Sequence, residues 1–143
     1  MSQPINMKKV LFICTGNSCR SQMAEGIART FGWDSRSAGI EPSTVNPNAI
    51  KVMREIGIDI SEQKSECINK YIHIDFDFII TLCDHARNSC PVFTGHFKHK
   101  IHQEFSDPFN AVGSKEEILN IYREVCNEIG IWIKEFTYKT QKG

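Results

Sequence analysis

The chain has 143 residues, with 17 basic and 17 acidic side chains, so its formal net charge is zero. A length of this order suits one domain that buries roughly 68–70% of its unfolded surface. Neutrality removes any global field that would draw nucleic acid or an anionic membrane, and no run reaches the 18 apolar residues of a membrane span. With no signal-peptide pattern at the start, the sequence reads as soluble and cytoplasmic, an expectation that also covers a monomer. Residues 1–7 read as an extension, 8–138 as the domain and 139–143 as a tail.

Lys8-Lys9 leads into Val10-Leu11-Phe12-Ile13, a short unbroken apolar run that suggests a strand buried on both faces. A loop follows, Cys14-Thr15-Gly16-Asn17-Ser18-Cys19-Arg20-Ser21, and then a helical pattern carrying Met23 and Ile27 on one face. Trp33 to Ala38 is expected as a second strand, closed by Gly39. Asn46 and Pro47 form a helix start, with Ala49, Ile50, Met53 and Ile56 as the apolar face and Gly57 at the end. Residues 64–71 are expected as a short helix, 77–82 as a third strand ending at Cys83, and 100–105 as a fourth. Ser114 and Glu117 make a capping-box pattern before a long amphipathic helix over about 115–136. This alternation implies an α/β fold: a single-domain three-layer sandwich, with a central parallel sheet of about four strands and helices on both faces. Ligands of such sheets bind beyond the carboxyl ends of the strands, where Cys14 and Cys83 both fall.

The loop from Cys14 to Arg20 has the form Cys-x5-Arg between a buried strand and a helix start. Helix N-termini offer unpaired N–H groups and a positive dipole end. Gly16 and Asn17 suit left-handed backbone angles that turn successive N–H groups inward, forming a nest for a tetrahedral oxyanion. Arg20 adds a charge-assisted grip. The same field favours the thiolate of Cys14, and the Ser21 hydroxyl falls at a spacing that reaches that sulfur. Cys19 reads first as a small packed residue, and Cys126 as packed in the last helix. Nothing in the residues assigns a role to Cys67.

The segment from Val10 to Gly26 resembles the active-site signature of the low-molecular-weight tyrosine phosphatase superfamily, and within it the thioredoxin-coupled arsenate reductases. Ser37-Ala38-Gly39, Asn46-Pro47 and Asp107-Pro108 match as well, so the likeness runs from about residue 8 to 136. It implies a strand order of 2-1-3-4, with Thr15, Gly16, Asn17, Ser18, Cys19, Arg20 and Ser21 cradling arsenate, or phosphate or sulfate as mimics. Asp107 would be the general acid; on its own, an Asp before Pro108 more often caps a turn. Phe109 after Asp-Pro is like the phosphatase branch, which leaves room for side phosphatase activity.

Cys83 and Cys90, seven apart in Thr81-Leu82-Cys83…Cys90-Pro91, separate the branches. A zinc cluster of Cys83, His85 and Cys90 with His96, His99 and His102 fits no common zinc spacing, so no metal is expected. The resemblance implies a Cys14–Cys83–Cys90 disulfide relay reopened by thioredoxin, with no bound cofactor. It also raises a monovalent cation near Asn17, Glu25, Ser37 and Glu66, which we do not count among the expected cofactors. The alternatives are a low-molecular-weight protein tyrosine phosphatase, which needs neither Cys83 nor Cys90, and a noncatalytic oxyanion- or partner-binding domain.

Overall fold

The computed structural model describes residues 8–83 and 93–142. Cys90, His85, Gly143 and the extension at 1–7 lie outside the described residues, as do the turn-favouring Asp84, Asn88 and Ser89. The described residues form four parallel strands: β1 (Lys9–Ile13), β2 (Asp34–Ala38), β3 (Phe76–Thr81) and β4 (Phe97–His102). Their order is β2-β1-β3-β4, as the sequence led us to expect. The α-helices are α1 (Arg20–Thr30), α2 (Pro47–Glu55) and α3 (Lys115–Lys142).

The unbroken apolar run of β1 is buried from Val10 to Ile13. Alternation along the strand divides the core. Val10 and Phe12 join the cluster under the helices, with Met23 and Ile27 of α1, Val52 and Met53 of α2, and Tyr122 and Ile129 of α3. Leu11 and Ile13 face the other way, onto Ile68, Tyr71, Phe76, Ile79 and Phe93. Both faces are covered, but unequally: all three α-helices pack into the first cluster, and the described cover of the second includes one 3-10 turn at Ile68–Tyr71. That turn stands where a helix over 64–71 was expected.

The helix starts follow local chemistry. The Asn46 side chain accepts from the backbone N–H of Asn48 and Ala49, with Pro47 in the first turn of α2. At α3 the Glu117 N–H donates to Ser114 Oγ at 3.1 Å, and the Ser114 N–H donates to Glu117 Oε1 at 2.8 Å, a reciprocal capping box. Two boundaries differ from expectation. β4 occupies 97–102 rather than 100–105: it is an edge strand with mostly exposed residues, so pairing with β3 fixes it and no apolar pattern marks it. Phe105, read as the strand end, turns into the core instead and is 7% exposed. α3 also runs on through 139–142, where a tail was expected. Trp33 donates to Thr137 at 2.8 Å and stacks on Phe136, which anchors the helix beyond its last apolar residue.

Two glycines bear on stability in opposite ways. A Cβ at Gly26 would stand 2.6 Å from Ile60 Cγ2, so the residue allows α1 to approach the 58–60 segment. A Cβ at Gly130, within α3, would meet only Ile27 Cδ1, at 3.9 Å. Gly130→Ala should therefore raise the unfolding free energy by about 0.5–1 kcal/mol, the helix-propensity gain, while Gly26→Ala should lower it. Chemical denaturation of the two variants checks both signs.

Candidate active site

The β1–α1 loop closes over the carboxyl end of the sheet. The first turn of α1 has no acidic residue, and the Cys19 side chain at its N-cap makes no capping hydrogen bond to the helix start. Among the described residues, no acceptor takes the backbone N–H groups of residues 15–20. These are the orphan donors that make a helix start bind anions. Asn17 takes φ 48°, the left-handed angle the nest needs. Gly16, expected to share that role, has no positive φ; a Cβ there would meet nothing within 4 Å, and its carbonyl accepts from Ser65 Oγ at 3.3 Å. The strict glycine is Gly39, where a Cβ would stand 2.5 Å from the Thr15 carbonyl oxygen and 2.6 Å from that of Cys14. Backbone packing demands it, and only the fold reveals that demand.

The nucleophile candidate is oriented from behind. Cys14 Sγ lies 2.9 Å from Ser21 Oγ, as its spacing suggested. The Asn17 amide donates to that same hydroxyl oxygen at 2.7 Å, while Asn17 Oδ1 accepts the Glu66 N–H at 2.8 Å. With its oxygen already accepting, Ser21 has its proton free for the sulfur. Gln22 Nε2 holds the Asn17 carbonyl at 3.1 Å. Ser37 and Arg29 both donate to the Glu25 carboxylate, and Lys70 pairs with Glu66 at 2.7 Å. Donors thus reach the Asn17 side-chain oxygen, both Glu25 carboxylate oxygens and one of Glu66 among the cation-site candidates. These contacts brace the loop from below. Burial pushes the Glu25 carboxyl up, against the Ser37 and Arg29 hydrogen bonds.

Arg20 is buried, with its Nη1 donating to the carbonyls of Leu82 and Phe105, each at 3.1 Å. Nη2 lies 3.3 Å from Asp107 Oδ2. Nε is buried with no hydrogen-bond partner, so one edge of the guanidinium remains for an oxyanion. Asp107 also caps its own turn, accepting from the Phe109 N–H at 3.0 Å. Cys14, Cys83, Asp107 and all the residues from Thr15 to Arg20 line one cleft of about 300 Å³. The Thr15 hydroxyl reaches Cys83 Sγ at 4.0 Å. Ser43, Phe109 and Asn110 complete the lining; Ser43 and Asn110 were not singled out from the sequence because only chain folding brings them to the mouth.

The remaining described cysteines are set by burial. Cys19 lies against Tyr122 Oη at 3.7 Å, and burial pushes its thiol up although Ser18 and Tyr122 act against it. Cys126 packs on Met53 Sδ at 3.6 Å and is pushed up to about 11 by burial. Cys67 is half-buried against the second core cluster. Cys14, Cys19, Cys67, Cys83 and Cys126 are all unbridged. Among the described residues no group of three metal-ligating side chains converges, and no helix is long and apolar enough to cross a membrane.

The model of the low molecular weight phosphotyrosine protein phosphatase family matches residues 9–142. The chain belongs to this family. Among its relatives is an arsenate reductase of Halalkalibacterium halodurans, 50% identical over 135 residues, covering 92% of this chain and 96% of the relative. A solved arsenate reductase in its phosphate-binding state superimposes with a TM-score of 0.77 at 37% identity, covering 93% of this chain and 98% of the other. A low molecular weight protein tyrosine phosphatase from T. tengcongensis gives 0.71 at 25% identity, covering 92% and 99%. The family's arsenate reductases and its phosphatases thus share this architecture.

Ser21→Ala should slow alkylation of Cys14 by iodoacetamide at neutral pH several-fold while leaving the fold intact. Peptide mass spectrometry of time points reads the rate, and an unchanged rate would remove Ser21 from the site. Gly39→Ala should abolish the protection that phosphate gives against that alkylation, since the Thr15 backbone must move to admit the methyl group.

Proposed function

We propose that this chain is a cytoplasmic arsenate reductase in which Cys14 attacks the substrate and Cys83 and Cys90 carry the oxidation away. One observation bears most of the weight: Cys83 lines the same small cleft as Cys14, beside the anion-binding loop and within reach of the Thr15 hydroxyl. A hydrolytic phosphatase has no need of a second thiol there. The names of the relatives agree with the reading, and a thiol relay suits a reducing compartment.

The steps follow from the residues. Arsenate enters the nest of N–H groups and meets the open Nε edge of Arg20, displacing the Asp107 carboxylate from Nη2. The Cys14 thiolate attacks arsenic, and Asp107, which takes up a proton from the entering hydrogen arsenate once released from Arg20, delivers it to the departing hydroxyl, which leaves as water. Cys83 then attacks the Cys14 sulfur. The S–As bond breaks with its electron pair on arsenic, arsenite leaves, and Cys14–Cys83 becomes a disulfide. Cys90, as a thiolate, attacks Cys83, frees Cys14 and leaves a Cys83–Cys90 disulfide. A dithiol reduces that bond, and thioredoxin is the reductant the family likeness suggests. Two thiols are oxidised for each arsenate reduced, so electrons balance without a bound cofactor.

Phe109 is 60% exposed and lines the cleft, where it offers a face for an aryl ring. This favours slow hydrolysis of aryl phosphates as a side activity, using Cys14, Arg20 and Asp107 only.

Mass spectrometry after a single arsenate turnover without reductant should find a Cys83–Cys90 bridge. Cys83→Ser and Cys90→Ser should stop thioredoxin-coupled turnover but spare p-nitrophenyl phosphate hydrolysis, while Cys14→Ser should abolish both. Arsenate turnover surviving in Cys83→Ser would sink the relay. Asp107→Asn should cost on the order of 10²–10⁴-fold in kcat, the usual worth of a positioned general acid.

A further inference from the structure

Cys83 is 2% exposed and lines the cleft, so a reductant that attacks this sulfur engages the mouth of the cleft. Among the described residues, two stretches reach that mouth. One carries Ser43 and the other carries Phe109 and Asn110, all lining the cleft. Neither stretch contains a charge: residues 42–50 read PSTVNPNAI and residues 108–114 read PFNAVGS, in a chain where 24% of residues are charged. Their outer positions are exposed, including Ser43, Thr44, Asn110 and Gly113. Val112, at 85%, is the most exposed of the large apolar side chains described, and Phe109 is 60% exposed three residues before it. Charges stand only at the borders of these stretches, at Glu41 and Asp107. Uncharged segments with an exposed aromatic and aliphatic group, beside a sulfur that needs a reductant, have the composition of an interface centre. A second apolar groove, beside Phe31, Ile56 and Ile131, has no reactive sulfur opening onto it other than the packed Cys126.

We propose that this uncharged collar, centred on Ser43–Thr44 and Phe109–Val112, is the docking surface for a protein dithiol reductant whose own surface around its cysteines is apolar and uncharged. The inference rests on the relay reading above and adds to it where the partner sits. Contact there positions the partner's attacking thiolate at the cleft mouth. That thiolate forms a mixed disulfide with one relay sulfur and expels the other as a thiolate. The partner's second thiol then closes the partner's own disulfide, so the two electrons pass inward and the partner leaves oxidised.

The test uses the full chain and two reductants. Steady-state arsenate turnover is measured against thioredoxin concentration, and separately with dithiothreitol, which needs no docking surface. The double variant T44D/V112D places two carboxylates on the collar but outside the cleft lining. Its KM for thioredoxin should rise by about tenfold, the cost of desolvating carboxylates against an apolar partner. Its dithiothreitol-driven rate should match the wild type. I131D, a charge in the other groove, should leave both arms unchanged. An unchanged KM for thioredoxin in T44D/V112D overturns the docking assignment alone, and so does an equal rise in I131D. Failure of thioredoxin to drive the wild type while dithiothreitol succeeds overturns the partner reading along with it.

Discussion

The site depends on one buried guanidinium. Arg20 stands at the start of α1, yet its two Nη1 hydrogen bonds reach the carbonyls of Leu82, next to Cys83, and of Phe105, two residues before Asp107. One side chain therefore ties the β1–α1 loop, the end of β3 and the segment leading to Asp107 into one unit. A buried cation with its partners removed is costly, by about 3–5 kcal/mol when a buried pair is broken, so these three segments cannot drift apart independently. The open Nε edge is what the arrangement leaves for substrate. Lysine could not replace it, because a point charge cannot hold two carbonyls and a carboxylate and still present a flat edge.

Legibility in the sequence follows the range of the interactions involved. The anion loop could be read because its chemistry is local: a buried strand, seven residues and a helix start, with Ser21 spaced to meet Cys14. The caps at Asn46 and Ser114 could be read for the same reason. What escaped was set by distant partners. β4 is placed by its pairing with β3, including Thr81 opposite His102, and its own residues face solvent on an edge. The end of α3 is set by Trp33, 104 residues away in the chain. Gly39 carries no sign of its role until β2 is laid beside β1 and its α-carbon meets two loop carbonyls. The expectation for Gly16 failed because left-handed geometry was assigned by residue type, whereas Asn17 alone in the loop carries it, held by Gln22 and Glu66.

The described cysteines show how one functional group is sorted by surroundings. Cys126 sits among apolar side chains and against a thioether, where ionisation is unfavourable and reactivity with it. Cys19 lies in the anion loop itself but turns its sulfur towards Tyr122 in the core, and burial holds it protonated. Cys14 lines the cleft, with the Ser21 hydroxyl 2.9 Å from its sulfur. Type and loop membership do not separate Cys14 from Cys19; the partner of each sulfur does, Ser21 for Cys14 and Tyr122 for Cys19.

The uncapped start of α1 has a thermodynamic side. A fold that leaves helix N–H groups without side-chain partners forgoes stability that a bound anion restores. Any oxyanion that binds the folded chain and not the unfolded one adds RT ln(1 + [L]/Kd), about 2.7 kcal/mol at a hundredfold excess over Kd. Between turnovers, an abundant inorganic oxyanion would act on this protein as a chaperone-like ligand and as a competitor at once. The same unpaired N–H groups tie the lifetime of the native state to the salts dissolved around it.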